Sequence, residues 1–100
     1  MIEVIKSATF DRWIASLRDR KAVLRILVRI DRLAAGLTGD AKPVGEGVSE
    51  LRIDHGPGYR VYFIRRGSTV VVLLCGGDKA SQRGDIAAAK AIAKQWKDAT

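Results

Sequence analysis

Val48-Ser49-Glu50-Leu51-Arg52-Ile53-Asp54-His55-Gly56-Pro57-Gly58-Tyr59-Arg60-Val61-Tyr62-Phe63-Ile64-Arg65-Arg66-Gly67-Ser68-Thr69-Val70-Val71-Val72-Leu73-Leu74-Cys75 is the stretch that decides the fold. It holds three runs rich in β-branched and aromatic residues, 48–54, 59–66 and 69–75, separated by Gly- and Pro-containing turns, and so reads as three consecutive antiparallel strands. A loop from Asp54 to Gly58 sets Leu51 opposite Val61 and Ile53 opposite Tyr59 on one face. Glu50 and Arg52 then face Tyr62 and Arg60 on the other. A loop one residue shorter would mix apolar and charged positions. Gly67-Ser68 has the chemistry of a two-residue hairpin loop, which would pair Arg66 with Thr69, Phe63 with Val72 and Arg60 with Cys75. The third run is apolar on both faces and belongs in the sheet interior.

Upstream, Ile2 to Lys6 reads as a short strand. Thr9 can cap a helix with Phe10, Trp13, Ile14 and Leu17 at helical spacing. A second helix from about Asp19 to Ala35 carries Val23, Ile26, Leu27, Ile30, Leu33 and Ala34, with Gly36 just past its end. The stretch from Leu37 to Gly47 is rich in Gly, Thr, Asp, Pro and Glu and reads as a surface loop. Downstream, Ser81 can cap a helix to about Trp96, with Ile86, Ala89, Ala93 and Trp96 on one face. The expected architecture is a single α+β domain over residues 1–100, in the order βααβββα. Its N-terminal helical hairpin packs on a small, mostly antiparallel sheet.

Composition narrows the function. The chain has 18 Lys and Arg against 11 Asp and Glu, a formal charge of +7 over 100 residues, which favours a polyanion or an acidic protein as partner. The single cysteine, Cys75, lies in an apolar run, which fits a reducing cytoplasm better than a disulfide-built secreted domain. No segment approaches the ~20 apolar residues of a membrane span, and residues 1–6 lack the features of a signal peptide. A soluble, cytoplasmic protein without membrane association is expected. The sequence has no metal-ligand spacing, nucleotide fingerprint or Ser/His/Asp set, so neither a metal nor a cofactor is anticipated.

Chemistry concentrates on the polar strand face and just beyond it. Arg52 and Arg60 can each bind phosphate through a planar fork, and an exposed Tyr62 beside them would suit a stacked base. Gly76-Gly77-Asp78-Lys79 before a helix could offer backbone amides and a lysine to a phosphate oxygen; alternatively the glycines end a strand and Lys79 is solvated. Glu50 and His55 are candidate proton acceptors, against the plainer readings of a charged sheet face and an exposed turn histidine. Arg18, Arg25, Arg29 and Arg32 fall within ~60° of one another on a helical projection. That stripe is either a solvated face, a contact for RNA or a contact for an acidic peptide.

Three segments, 47–53, 56–63 and 73–79, together with Asp85-Ile86, resemble the addiction-module killer proteins of the HigB-like, phage-derived group within the RelE/ParE superfamily. The resemblance extends over essentially the whole chain. It implies a RelE-like fold and the toxin of a type II toxin–antitoxin pair, a ribosome-dependent endoribonuclease that cleaves messenger RNA. It also implies a helix-turn-helix, HigA-like antitoxin through which alone the toxin meets operator DNA. By motif position the phosphate-holding residues fall on Arg52, Arg60 and Lys79. The general base stays open among Glu50, His55 and a lysine, because the sequence lacks the tyrosine or histidine that several relatives carry after the final strand. The 2′-hydroxyl of the RNA is then expected to attack the adjacent phosphate. The competing functions are a ParE-like gyrase poison and a noncatalytic basic nucleic-acid-binding module.

Overall fold

A computed structural model describes residues 2–98 as β1 (Glu3–Lys6), α1 (Ala8–Ser16), α2 (Arg20–Ala34), β2 (Ala41–Gly45), β3 (Val48–Ile53), β4 (Tyr59–Arg66), β5 (Val70–Asp78) and α3 (Gln82–Asp98). The five strands form one mixed sheet in the order β1-β5-β4-β3-β2, with only the β1–β5 pair parallel. The helices pack in layers on both faces.

Ser7, not Thr9, caps α1: its Oγ accepts the Phe10 N–H at 3.0 Å and donates to the Leu74 carbonyl. That second bond ties the cap to β5, a tertiary contact that decides between two hydroxyls two residues apart. Asp19 caps α2 by accepting the N–H groups of Lys21 and Ala22. Arg18 therefore lies in the connection before α2 and not on its face.

On one side of the sheet Phe10, Ile26, Ile30 and Leu33 pack against Leu51, Ile53, Val61, Phe63, Val71 and Leu73. On the other, Ala89 and Ala93 of α3 meet Val48, Tyr62, Ile64, Val72 and Leu74. The strand alternation of 48–66 thus feeds two cores, and the face carrying Glu50, Arg60 and Tyr62 is roofed by α3 instead of facing water.

The β3–β4 register matches the expectation, with Leu51 opposite Val61, Ile53 opposite Tyr59, Glu50 opposite Tyr62 and Arg52 opposite Arg60. The β4–β5 register does not. Arg66 pairs with Val70 and Phe63 with Leu73, and an irregularity between Tyr62 and Phe63 places Arg60 opposite Gly77. The connection spans three residues, Gly67 to Thr69. A strand apolar on both faces specifies register weakly, so its pattern could not distinguish the alternatives.

The expected loop 37–47 contains the edge strand β2, paired antiparallel to β3. Pro43 hides it in the sequence, but proline is tolerated at a sheet edge, where one side makes no ladder bonds. Glu46 (φ 54°) and Gly47 (φ 80°) turn the chain back into β3.

Candidate functional site

At one end of the sheet β3 stops, β4 begins and β5 gives way to Lys79. A cleft of about 280 Å³ opens there, lined by Arg52, Arg60, Lys79, Asp40, Asp54 and Tyr59, with Ile53 and Gly58. Strand alternation and register place Arg52 and Arg60 directly opposite each other on one face. Two like charges in that relation repel. Glu50, two residues before Arg52 on the same face, resolves the conflict. Its Oε1 accepts from Arg52 Nε at 3.0 Å and from Arg60 Nη1 at 2.9 Å, while Oε2 accepts from Gln82 Nε2 of α3 at 2.8 Å.

Glu50 has no solvent exposure. Burial alone would raise its pKa, but the hydrogen bonds from Arg52 and Gln82 and the charges of Arg60 and Arg52 outweigh it and hold the carboxyl below the usual range. Glu50 is therefore an ionised brace with both oxygens occupied, poorly suited to accept a proton from substrate. The brace uses one nitrogen of each arginine. Both terminal nitrogens of Arg52 make no hydrogen bond among the described residues, and the Arg52 side chain is 38% exposed against 12% for Arg60. Arg52 and the exposed Lys79 are the cations best placed to meet a ligand.

Tyr62 is fully buried beneath α3 and is unavailable to stack on a base. Burial first, then the negative charges of Glu50 and Asp85, push its phenol above the ordinary value. Tyr59 lines the cleft in its place, three residues earlier, with its ring 6.4 Å from that of Trp13. His55 lies outside the cleft lining: its Nε2 is 3.1 Å from Asp19 Oδ2, joining the β3–β4 loop to the start of α2.

The pair Gly76-Gly77 is not a phosphate-cradling turn; both glycines are strand residues, opposite Val61 and Arg60. Their small size has a packing cause on each face of β5. A Cβ on Gly76 would stand 2.3 Å from the Trp13 ring, and one on Gly77 only 1.8 Å from Asp85 Oδ2. Beyond them the Asp78 carboxylate accepts the N–H groups of Ala80 and Ser81, and Ser81 Oγ hydrogen-bonds the Asp85 carboxylate. This turn starts α3 and brings Gln82 onto Glu50. Cys75 is buried next to it, its thiol 3.6 Å from the Asp85 carbonyl. Burial and the Asp85 charge push that thiol up to about 12, which disfavours the reactive thiolate.

On α2, Arg25 and Arg32 are exposed, but Arg29 is half-buried and committed to the backbone. Its guanidinium donates to the carbonyls of Arg52, Thr38 and Asp40. The arginine stripe is thus interrupted at its centre by a residue that secures the strand bearing Arg52.

Residues 12–97 match a family model described as "Phage derived protein Gp49-like (DUF891)". The protein belongs to this family. It is also 46% identical over 94 residues to an uncharacterized protein of Haemophilus influenzae (strain ATCC 51907 / DSM 11121 / KW20 / Rd), covering 94% of this chain and 95% of that one. The matched span of this Gp49-like protein holds every residue of the cleft and its brace; β1 falls outside it. No helix among the described residues is long and apolar enough to cross a membrane.

Four residues of the site escape a reading of the sequence: Asp40, Asp54, Tyr59 and Gln82. Tyr59 carried a signal, as the neighbour of Arg60 at a strand start. Gln82 carried none, since only the placement of α3 over the polar face brings it to Glu50.

Proposed function

We propose that this Gp49-like protein is the toxin of a type II toxin–antitoxin pair and cleaves messenger RNA on the ribosome. Membership of a toxin-like family supports the first part. The observation that carries the second is the convergence of Arg52, Arg60 and Lys79 on one cleft, with the arginines preset by a buried carboxylate. Preset donors cost little reorganisation when charge develops on a phosphate.

A carboxylate of the cleft takes the 2′-hydroxyl proton as the 2′-oxygen attacks phosphorus, the P–O5′ bond breaks, the departing 5′-oxygen takes a proton from water, and the products are a 2′,3′-cyclic phosphate and a 5′-hydroxyl. Arg52 and Lys79 hold the non-bridging oxygens, and Arg60, locked by Glu50, orients Arg52's partner carboxylate and adds charge from below. With Glu50 occupied and His55 paired elsewhere, the proton acceptors within the cleft are the carboxylates of Asp54 and Asp40, neither of which has a side-chain partner among the described residues. Tyr59 offers an aromatic surface to a base. A helix-turn-helix antitoxin would neutralise the protein.

Inducing the chain alone in a bacterial host tests this reading. Growth and translation should stop, and Asp54→Asn or Asp40→Asn should relieve the arrest in soluble, folded protein. Unimpaired growth with abundant folded protein would refute it. Arrest accompanied by DNA breaks and intact messages would point to a gyrase poison instead.

A further inference from the structure

We infer that Arg29 is a positioning residue for the cleft, its guanidinium holding Asp40 and Arg52 opposite each other from the α2 side of the sheet. Arg29 does not line the cleft. It acts on the backbone of two residues that do. The clamp sits where β2 begins. Ala41 pairs with Leu51, so one residue further out Asp40 stands opposite Arg52. Residues so opposed in an antiparallel pair exchange two N–H···O=C bonds or none. Here Arg52 N–H donates to the Asp40 carbonyl at 2.9 Å. The Arg52 carbonyl, which the Asp40 N–H would take if β2 ran on, accepts from Arg29 Nη1 instead. Nη2 of the same guanidinium donates to the carbonyls of Asp40 at 3.2 Å and Thr38 at 3.4 Å. Arg29 thus completes the last rung of the β2–β3 ladder with one planar, rigid fork.

Gly39 points the same way. It lies between Thr38 and Asp40 at φ +62°, and a Cβ there would stand 3.0 Å from Arg29 Nη2. The 38–40 turn is therefore wrapped on the guanidinium, and glycine suits both the backbone conformation and the close approach.

The consequence differs for the two residues held. Arg52 has the Glu50 brace for its side chain. The Asp40 carboxylate has no side-chain partner among the described residues, so its aim into the cleft depends on its backbone, and hence on Arg29. The helix itself does not need the clamp, because Ile26, Ile30 and Leu33 hold α2 to the sheet through the core. Removing the guanidinium should therefore loosen the cleft wall without detaching the helix. The effect on cleavage rests on the function proposed above; the clamp does not.

Two variants of the whole protein test the inference: Arg29→Met, which keeps an apolar stem and removes the fork, and Gly39→Ala, whose Cβ crowds the fork. Amide hydrogen exchange followed by NMR should show the Arg52 N–H exchanging roughly tenfold or more faster in both, with the amides of β4 and β5 unchanged. In a translating extract, the rate of message cleavage at saturating protein should fall about 10- to 100-fold, as for reacting groups displaced by about 1 Å, while the half-saturating concentration stays within about threefold. Arg29→Lys keeps the charge but not the fork and should recover little of that rate. An Arg52 N–H that exchanges at the wild-type rate would overturn the inference, as would full cleavage by Arg29→Met. Full recovery in Arg29→Lys would overturn it too, by making Arg29 a source of charge only. Should Arg29→Met fail to fold, Gly39→Ala and Arg29→Lys carry the same comparisons. If wild type itself leaves messages intact, the proposed function falls, and the Arg52 exchange rate alone decides whether Arg29 holds the cleft wall.

Discussion

Replacing Glu50 by glutamine should destabilise the fold and disorganise the cleft together. Glu50 is fully buried and accepts hydrogen bonds from Arg52, Arg60 and Gln82. The amide keeps the volume but removes the charge that both arginines face; its NH₂ can donate to Gln82 once that amide flips to present its oxygen, so the cost lies in the lost charge against Arg52 and Arg60. Removing one member of a buried ionic cluster costs about 3–5 kcal/mol. Arg52 is 38% exposed and can swing to water, so its share is small. Arg60, 12% exposed, cannot escape as easily, and the lower end of the range, about 3 kcal/mol, follows. For a domain of this length that is about 12–24 °C in Tm. Urea unfolding followed by the fluorescence of Trp13 and Trp96 measures it.

Acid sharpens the test. The folded-state pKa of Glu50 is depressed, so its stabilisation is present above the unfolded-state value of about 4.5 and is lost as pH falls through the lower folded-state value. Wild type and Glu50→Gln should therefore begin to converge in stability only as the pH drops below about 4.5, and should meet below the folded-state pKa of Glu50. A loss under about 0.5 kcal/mol at neutral pH, or a gap that stays constant on acidification, would refute the brace.

Gly77→Ala, whose Cβ would collide with Asp85 at 1.8 Å, should unfold the protein or cost at least about 2 kcal/mol, whereas Gly84→Ala, with nothing within 4 Å inside α3, should stabilise by about 0.5–1 kcal/mol; thermal melts separate the two. Lys79→Ala should leave the melt within about 0.5 kcal/mol of wild type while abolishing growth arrest, because the side chain is exposed in the cleft. His55→Ala should keep the arrest and cost less than about 1 kcal/mol, since it breaks a partly exposed pair with Asp19 outside the cleft; lost arrest in a folded His55 variant would return histidine to the mechanism.

Where a face of the sheet mixes polar and apolar residues, the sequence is decisive. Glu50, Leu51, Arg52 and Ile53 can be aligned with Tyr59 to Tyr62 in only one register without mixing faces, and that register brings Arg52 to Arg60. Where a strand is apolar throughout, as in Val70 to Leu74, the pattern is silent and the actual pairing is shifted. The edge strand β2 is masked because Pro43 and Gly45 are turn residues by composition, yet the β3 edge supplies the missing pairing partner.

The polar face shows a different limit. A charged strand face reads locally as solvated, but α3 covers it, converting Tyr62 from an exposed ring into a core residue and Glu50 from a surface acid into a buried counter-charge. Arg60 is affected too. As a residue bound to a buried carboxylate it carries structural weight, so Arg60→Ala is not the clean probe that its place on a polar strand face suggests; Arg52 shares that carboxylate but is more exposed, and Lys79→Ala, outside the brace, is the clean one.

The activity proposed for this protein is messenger cleavage within the cleft. Purified protein added to a translating extract, with message 5′ ends mapped by primer extension, tests it most directly. Wild type should generate new 5′-hydroxyl ends only when ribosomes are translating, and Arg52→Ala/Lys79→Ala, folded as shown by its melt, should generate none. Intact messages in the presence of folded wild-type protein, or equal cleavage by the double variant, would contradict the account.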